Sequence, residues 1–278
     1  MPIDPTDGLP LAEVGEWAEE KHTRLRKYVD ITRGARRKYT DASRPVQFRG
    51  GATYIDLFCG PGRCLIRDTT KIIDGSSIVA IKAALDGGVP FSEVHVADID
   101  SSFSEATVAR LGTIGTEAIG YIGPAELTVQ QIVSRLNPHG LHFAFLDPFN
   151  LGGLAFSIIR ELSKVQRMDL LLHVSVQDLQ RNLGRYIGPE KSPLDDFAPG
   201  WRENVDANQA LNAFRVSLLA YWQSLVRELG FMHQRDAELV TGSNSQRLYW
   251  LIFLSRHSIA NELWDKIRVV SGQRSLDL

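Results

Sequence analysis

The stretch "TYIDLFCGPGRCLI", residues 53–66, passes from an apolar run through an acid into a Gly-Pro-Gly turn. A short apolar run rich in β-branched and aromatic residues and closed by glycine reads as a buried strand that ends in a tight turn. Asp56 lies within that strand. Gly60 and Gly62 fall at the predicted strand-to-helix turn, where permissive backbone angles and the lack of a side chain let a ligand come close. A plain strand-end turn has the same pattern, so the turn alone names no ligand. The G-x-G-x-x-G pattern of a dinucleotide site is incomplete, with Pro61 between the glycines and Leu65 in the third position. A nicotinamide or flavin dinucleotide is therefore disfavoured.

Outward from this turn, strand-like and helix-like segments alternate. "TYIDLFC", "SEVHVADI", "TEAIGYI", "HFAFLD" and "DLLLHVSV" read as strands, and residues 75–87, 101–111, 126–137 and 154–166 as the helices between them. Such alternation predicts a largely parallel sheet with helices on both faces. "GPEKSPLDDFAPGW", residues 188–201, is rich in Pro, Gly and Asp and is expected as a lid or an excursion. A long helix over 207–229 carries Leu211, Phe214, Leu218, Trp222, Leu225 and Leu229 at core spacing. The tail, 233–255, reads as two strands joined through a Gly-Ser-Asn-Ser turn, an antiparallel edge, before a final helix over 258–270. The expected organisation is a helical extension over 1–45 and one domain over 46–278 with a loop or lid near 187–206.

Composition excludes several classes. With 44% hydrophobic and 23% charged residues the chain is ordinary for a globular protein, and no apolar run approaches the roughly 18 residues of a membrane span. Its acidic, proline-bearing start fits neither a secretory signal nor a transit peptide, so a cytoplasmic location is expected. Cys59 and Cys64 have no further cysteine with which to build a disulfide framework, a zinc site or an iron–sulfur cluster. The net charge of −2 hides a local asymmetry: residues 21–38 hold eight Lys/Arg against one Asp. That run either meets the phosphates of a nucleic acid or forms an amphipathic docking helix whose basic residues are its solvated face.

Acids recur at strand ends. Asp98 ends the second predicted strand, where a carboxylate can accept from ribose hydroxyls. Asp100 can share that role or cap the following helix with Ser101. Asp147 ends the fourth, in "FAFLDPFNLGG", either as a functional group at the carboxyl edge of the sheet or as an Asx-type turn. Beyond the fifth strand, Gln177, Asp178 and Arg181 stand on the same rim as substrate candidates or as a polar helix start. His95, His142 and His173 fall in apolar strand patterns and are expected to make structural hydrogen bonds. No histidine pair has zinc-site spacing, and no nucleophile motif is present.

This series resembles the S-adenosylmethionine-dependent methyltransferases, whose Rossmann-like sheet of about seven strands ends in an antiparallel hairpin. More closely, "EEKHTRLRKYVDI", "YIDLFCGPGR", "LDPFN" and "RLYWLIFLSRHSIANELWDKI" are similar to the three-Cys-motif partner proteins (TcmP), a bacterial family with a methyltransferase-like core. The resemblance runs from about residue 14 to 267. It implies S-adenosyl-L-methionine as cofactor, with Gly60, Gly62 and Phe58 near its methionine part, Asp56 organising the turn, and Asp98 with Asp100 at the ribose. Amino-group methyltransferases of this kind end the fourth strand with [D/N]-P-P-[Y/F], whose acid or amide holds the target amine while the aromatic stacks on a planar substrate. Here Asp147 matches the acid. One proline is missing, so Pro148 is followed directly by Phe149, one position early.

Two functions are therefore expected as alternatives. One is methyl transfer to an amino group, with a nucleic-acid base as acceptor and Asp147 at the reacting nitrogen. The other, implied by the TcmP resemblance, is a catalytically silent or accessory partner of a three-Cys-motif, radical S-adenosylmethionine-like protein.

Overall fold

A computed structural model describes residues 1–232, 238–241 and 247–269. Among these residues the centre is a seven-stranded sheet in the order β6-β5-β2-β7-β8-β10-β9. Its strands are β2 (Ala52–Asp56), β5 (Glu93–Asp98), β6 (Ile119–Ile122), β7 (Leu141–Leu146), β8 (Met168–Ser175), β9 (Glu238–Thr241) and β10 (Arg247–Leu254). The first five pair in parallel; β10 joins β8 antiparallel, with Tyr249 opposite Ser175, and β9 closes the edge. This is the mostly parallel, Rossmann-like sheet with an antiparallel edge that the strand pattern and the resemblance anticipated. The turn over 242–245 lies outside the described residues.

The strands alternate their side chains between two apolar layers. Tyr54, Val96, Phe143, Phe145 and Leu251 face one; Ile55, Ala144, Leu146, Leu172 and Ile252 face the other. Helices α1 (Trp17–Ile31), α3 (Ser76–Asp86), α4 (Ser101–Thr113) and α11 (Ser258–Val269) lie on the first face. On the second lie α5 (Ala125–Val133), α6 (Phe156–Leu162), α7 (Val176–Ile187) and α10 (Leu211–Glu228). The α10 stripe is core as expected, with Phe214, Leu218 and Trp222 buried, although Leu211 at its start is exposed.

Three expectations are corrected. The Gly-Pro-Gly turn does not enter a helix: a hairpin of β3 (Arg63–Ile66) and β4 (Ile72–Asp74) intervenes before α3, and β1 (Ala12–Val14) pairs with β3 to complete a small three-stranded sheet. The segment 187–206 is not a loose excursion. It folds into α8 (Pro193–Phe197), opened by a Ser192/Asp195 capping box, and α9 (Trp201–Asn204), and it buries Leu194, Phe197 and Trp201 in the core. Nor are the basic residues of 21–38 simply a solvated face. In α1 and the following α2 (Arg33–Thr40), Lys21, Arg24 and Arg36 are buried, because α1 packs against α3 and α11 and its carboxyl end runs on beneath the sheet. Arg26, Arg33, Arg37 and Lys38 remain exposed.

No helix among the described residues is long and apolar enough to cross a membrane.

Candidate functional site

The strand order changes direction between β2 and β7: β5 and β6 lie to one side, β8 and β10 to the other. In open α/β sheets the crevice outside the carboxyl ends of the strands at such a switch point is where ligands bind. Asp56 ends β2, Asp98 ends β5, and Asp147 directly follows β7, so three of the acids singled out in the sequence meet at this edge.

Asp56 is fully buried beneath the glycine turn. Its Oδ2 accepts from the hydroxyls of Ser76 (2.6 Å), Ser77 (2.8 Å) and Tyr54 (3.2 Å), and its Oδ1 from the Phe58 N–H (3.2 Å). Burial pushes its carboxyl up to about 6 despite these donors. Asp56 therefore ties the end of β2 to the start of α3. Gly75, at the α3 N-cap, donates to the Gly62 carbonyl at 2.8 Å, and a Cβ at Gly75 would come within 2.9 Å of the Gly62 backbone. The inserted hairpin thus leaves the turn and returns to it, and the helix start still sits against the glycines.

Gly60 and Gly62 have φ of 56° and 83°, which side-chain-bearing residues rarely adopt. A Cβ at Gly62 would stand 3.0 Å from Thr107 Oγ1, whereas one at Gly60 meets nothing within 4 Å. Gly60 therefore faces open space. Its N–H donates to Asp98 Oδ2 at 2.9 Å, and Asp98 Oδ1 accepts from the Asp100 N–H at 3.0 Å. A carboxylate has about four acceptor positions, so partly exposed Asp98 keeps capacity for a ligand's hydroxyls. Burial holds its carboxyl above the usual range. Asp100 is the N-cap of α4, accepting from the Ser102 N–H and hydroxyl, so the structure assigns it the capping alternative. Beside Asp98, Ile99 and Ile122 at the ends of β5 and β6 are 74% and 56% exposed. Sequence reading missed both, since an apolar residue at a strand end carries no signal until its exposure is known; together they can flank a flat ring.

From below, Arg110 of α4 donates to the Pro61 and Pro10 carbonyls (2.6 and 2.8 Å) and to both oxygens of Asp7. Asp4 takes the Arg63 guanidinium at 2.8 Å. The first residues of the chain are thereby strapped to the Gly-Pro-Gly turn.

Asp147 is built differently. Its Oδ2 is ion-paired with Lys21 of α1, and His173 Nδ1 stands 3.3 Å from Oδ1 without hydrogen-bond geometry. Burial raises the carboxyl, but Lys21, with His173 and His22, outweighs it and holds the acid below the usual range. Burial pushes both His22 and His173 down to about 4, so they are neutral imidazoles at pH 7. Pro148 is buried. Phe149 is 97% exposed and projects from the edge as an unsupported ring. The loop is fixed by Asp178, which accepts from the Leu151 N–H (3.0 Å) and the Tyr186 hydroxyl (2.7 Å), and by Gly153, whose Cβ would stand 2.9 Å from Pro148. The same Cβ would stand 3.7 Å from the Phe58 ring. Gln177 and Arg181 stand one helical turn apart on α7, at a marginal 3.5 Å from each other, with Arg181 exposed.

Of the other strand histidines, His95 pairs with Tyr121 and Glu93, and His142 with the Asn137 carbonyl. Among the described residues no His, Cys, Asp and Glu group suited to a metal occurs, and both cysteines are buried thiols, with Cys64 pushed up to about 11 by burial.

No protein-family model matches the chain, and no curated protein matches it. In three dimensions it is similar to the Legionella pneumophila protein LPL1258, with TM-score 0.50 and 10% identity over 91% of this chain and 92% of that one, a likeness of fold. The O-methyltransferase from Bacillus cereus in complex with SAH aligns at TM-score 0.47 and 12% identity over 90% of this chain and 86% of that one. The N-methyltransferase NodS from Bradyrhizobium japonicum WM9, in complex with S-adenosyl-l-homocysteine, aligns at 0.44 and 11% over 87% and 89%.

Proposed function

We propose that the chain binds S-adenosyl-L-methionine at the β2/β5 side of the switch point and transfers its methyl group to an amino group, with a nucleic-acid base as the acceptor class. The observation that carries this reading is the cradle at Asp98: an accessible carboxylate fixed by the Gly60 N–H, beside a glycine that faces open space, between two exposed apolar residues. These groups fit the cofactor. Asp98 would take the ribose hydroxyls, Ile99 and Ile122 would flank the adenine, and Gly60 and Phe58 would border the methionine part.

When bound, the cofactor supplies an electrophilic methyl on a sulfonium, so the protein's share is orientation and the exclusion of water. Lys21 keeps Asp147 ionised, and an ionised carboxylate only accepts hydrogen bonds, which suits the N–H of an incoming amine. Phe149, exposed next to that acid, offers a face on which a planar base can stack. The acceptor class rests on these two residues. The exposed Arg33, Arg37 and Lys38 lie beyond the carboxyl end of α1, at the far end of the sheet from Asp147, so nucleic-acid contact through 21–38 would be a separate attachment.

A second reading follows from the Lys21–Asp147 pair, because an acid already partnered by a buried lysine is less open to a substrate. On that reading the chain is a silent or accessory partner of a three-Cys-motif protein, in keeping with the TcmP-like motifs.

Calorimetry decides first whether the cofactor binds. Saturable heat with S-adenosylhomocysteine that is lost in Asp98→Ala is the expected result; no binding, or binding indifferent to Asp98→Ala, overturns the reading. Methyl transfer to nucleic-acid pools then separates the first role from the second, which predicts none, together with co-purification of the partner.

A further inference from the structure

A nucleic-acid base that reaches Asp147 brings a phosphate chain with it, and that chain must leave the site across the protein surface. Helix α7 lies on the way out. It begins at Val176, directly after β8, at the same carboxyl edge of the sheet as Asp147. Its first turn is bonded to the loop that bears Phe149, because Asp178 accepts from the Leu151 N–H at 3.0 Å.

The two sides of α7 differ. Val176, Leu179 and Tyr186 are buried, and Leu183 and Ile187 pack against the same core. Gln177, Arg181, Gly184, Arg185 and Gly188 are linked by steps of three and four residues, which places them together on the other side. All but half-buried Gln177 are exposed. The one acid of the helix, Asp178, is taken up by Leu151, Asn182 and Tyr186, the last two at 2.8 and 2.7 Å, so it is turned away from this face. Beyond Gly188 the exposed Glu190 and Lys191 offset each other, and the positive stretch ends there.

Two observations set this face apart from an ordinary solvated one. Arg63, Lys71 and Arg202 are each paired with an acid of this chain, Asp4, Glu19 and Asp195. Among the described residues Arg181 and Arg185 form no ion pair; Arg181 reaches only the Gln177 side-chain oxygen, at 3.5 Å. The second observation is Gly184. Glycine inside a helix costs stability relative to alanine, yet a Cβ here would meet nothing within 4 Å, so no neighbour among the described residues requires it. What it provides is a low surface between two guanidinium groups, over which a chain can lie close. Arg181 and Arg185 stand one turn apart, about 5–6 Å between Cβ atoms. Each fork can take two oxygens of a phosphate.

We propose that the exposed face of α7, Arg181 and Arg185 across Gly184, binds successive phosphates of a single-stranded nucleic acid whose base enters at Asp147. The strand is single because a base stacked on Phe149 has left its neighbours. The inference rests on the proposed acceptor class. It gives the switch-point site a backbone contact of its own, apart from the exposed Arg33, Arg37 and Lys38 at the far end of the sheet.

The test is fluorescence anisotropy of the full chain with a short labelled single strand, in ribo and deoxy forms, titrated at several salt concentrations. Arg181→Gln/Arg185→Gln should weaken binding about tenfold and make the slope of log affinity against log salt shallower by about 1.4, two phosphate contacts at roughly 0.7 each. Arg33→Gln/Arg37→Gln removes the same charge at the far end and should change affinity less than about twofold at equal salt. Gly184→Gln adds a neutral, helix-favouring side chain; thermal unfolding should show no loss of stability, while binding weakens about fivefold. Tighter binding of the ribo or the deoxy strand names the source of the phosphates. No binding by the wild type, equal losses in the two arginine pairs, unaltered binding in Gly184→Gln, or a duplex that binds as tightly as the single strand would each overturn the assignment. Anisotropy needs no cofactor, so these outcomes bear on α7 alone. Absence of methyl transfer with α7-dependent binding intact strikes the acceptor reading instead.

Discussion

Lys21, on the first helix, and Asp147, just past the fourth parallel strand, are 126 residues apart in sequence and form a partly buried ion pair at the switch point of the sheet. The contact joins the N-terminal helix to the proposed acceptor site and sets the ionisation of its acid.

Breaking that pair from one side should be expensive. Lys21→Met leaves the carboxylate, nearly enclosed, beside two neutral imidazoles, and a loss of about 3–5 kcal/mol in urea unfolding is expected. The double variant Lys21→Met/Asp147→Asn should recover most of that loss, because it removes both charges. Equal losses in the single and double variants would show that the lysine matters for packing rather than charge.

Stability should depend on pH in a window set by opposed groups. Burial lowers His22, His142 and His173 from 6.5 to about 4, so between those values the unfolded chain binds more protons; their contribution is present above 6.5 and is lost as pH falls towards 4. Asp56, raised from 3.8 to about 6, acts in the other direction: its contribution is present below 3.8 and is lost as pH rises through about 6. Burial also lowers His95 and raises Asp98 and Asp169, so four histidines act against three acids, and the unfolding midpoint should climb from pH 4 to 6.5. Asp56→Asn should make the climb steeper, and a shallower one would contradict the assignment.

Gly62→Ala places a Cβ at φ 83° and 3.0 Å from Thr107 Oγ1. A stability loss of about 1–3 kcal/mol is expected from the strained backbone, together with weaker binding of S-adenosylhomocysteine in calorimetry. Retention of wild-type affinity would separate the turn from the cofactor.

Arg110→Gln should loosen the N-terminal strap, since that guanidinium bonds Asp7, Pro10 and Pro61 at once. Hydrogen exchange should rise over residues 4–11 and at the glycine turn, with little change in β7 and β8. Uniform acceleration throughout the chain would mean a global loss of stability instead.

Phe149→Ala removes a side chain that buries almost nothing, so stability should change by no more than about 0.5 kcal/mol. If the ring is the stacking platform, methyl transfer should fall at least tenfold with S-adenosylhomocysteine affinity unchanged. Unaltered transfer would remove Phe149 from the site.

The strands were legible because each is a short apolar run with a polar or glycine boundary, and β2, β5, β7 and β8 fall within a residue or two of where those runs predict them at their starts. The strand-end acids were legible for the same reason, since their positions follow from the strands. The hairpin over 63–74 was not: "RCLI" is too short to show a period, and only its pairing with β1 and β4 makes it a strand.

The sequence by itself determined the layered α/β class and the row of acids at strand ends, because both depend on local periodicity and on where it stops. Only the tertiary structure decided what those acids do: Asp56 ties a turn to a helix, Asp98 stays accessible, Asp100 caps, and Asp147 meets Lys21 and His173. It also turned part of a basic run inward, to Asp147 at one end and to the carbonyls of Val29 and Val89 at the other. The physical reason is that burial and ion pairing are set by partners distant along the chain, which no local pattern encodes.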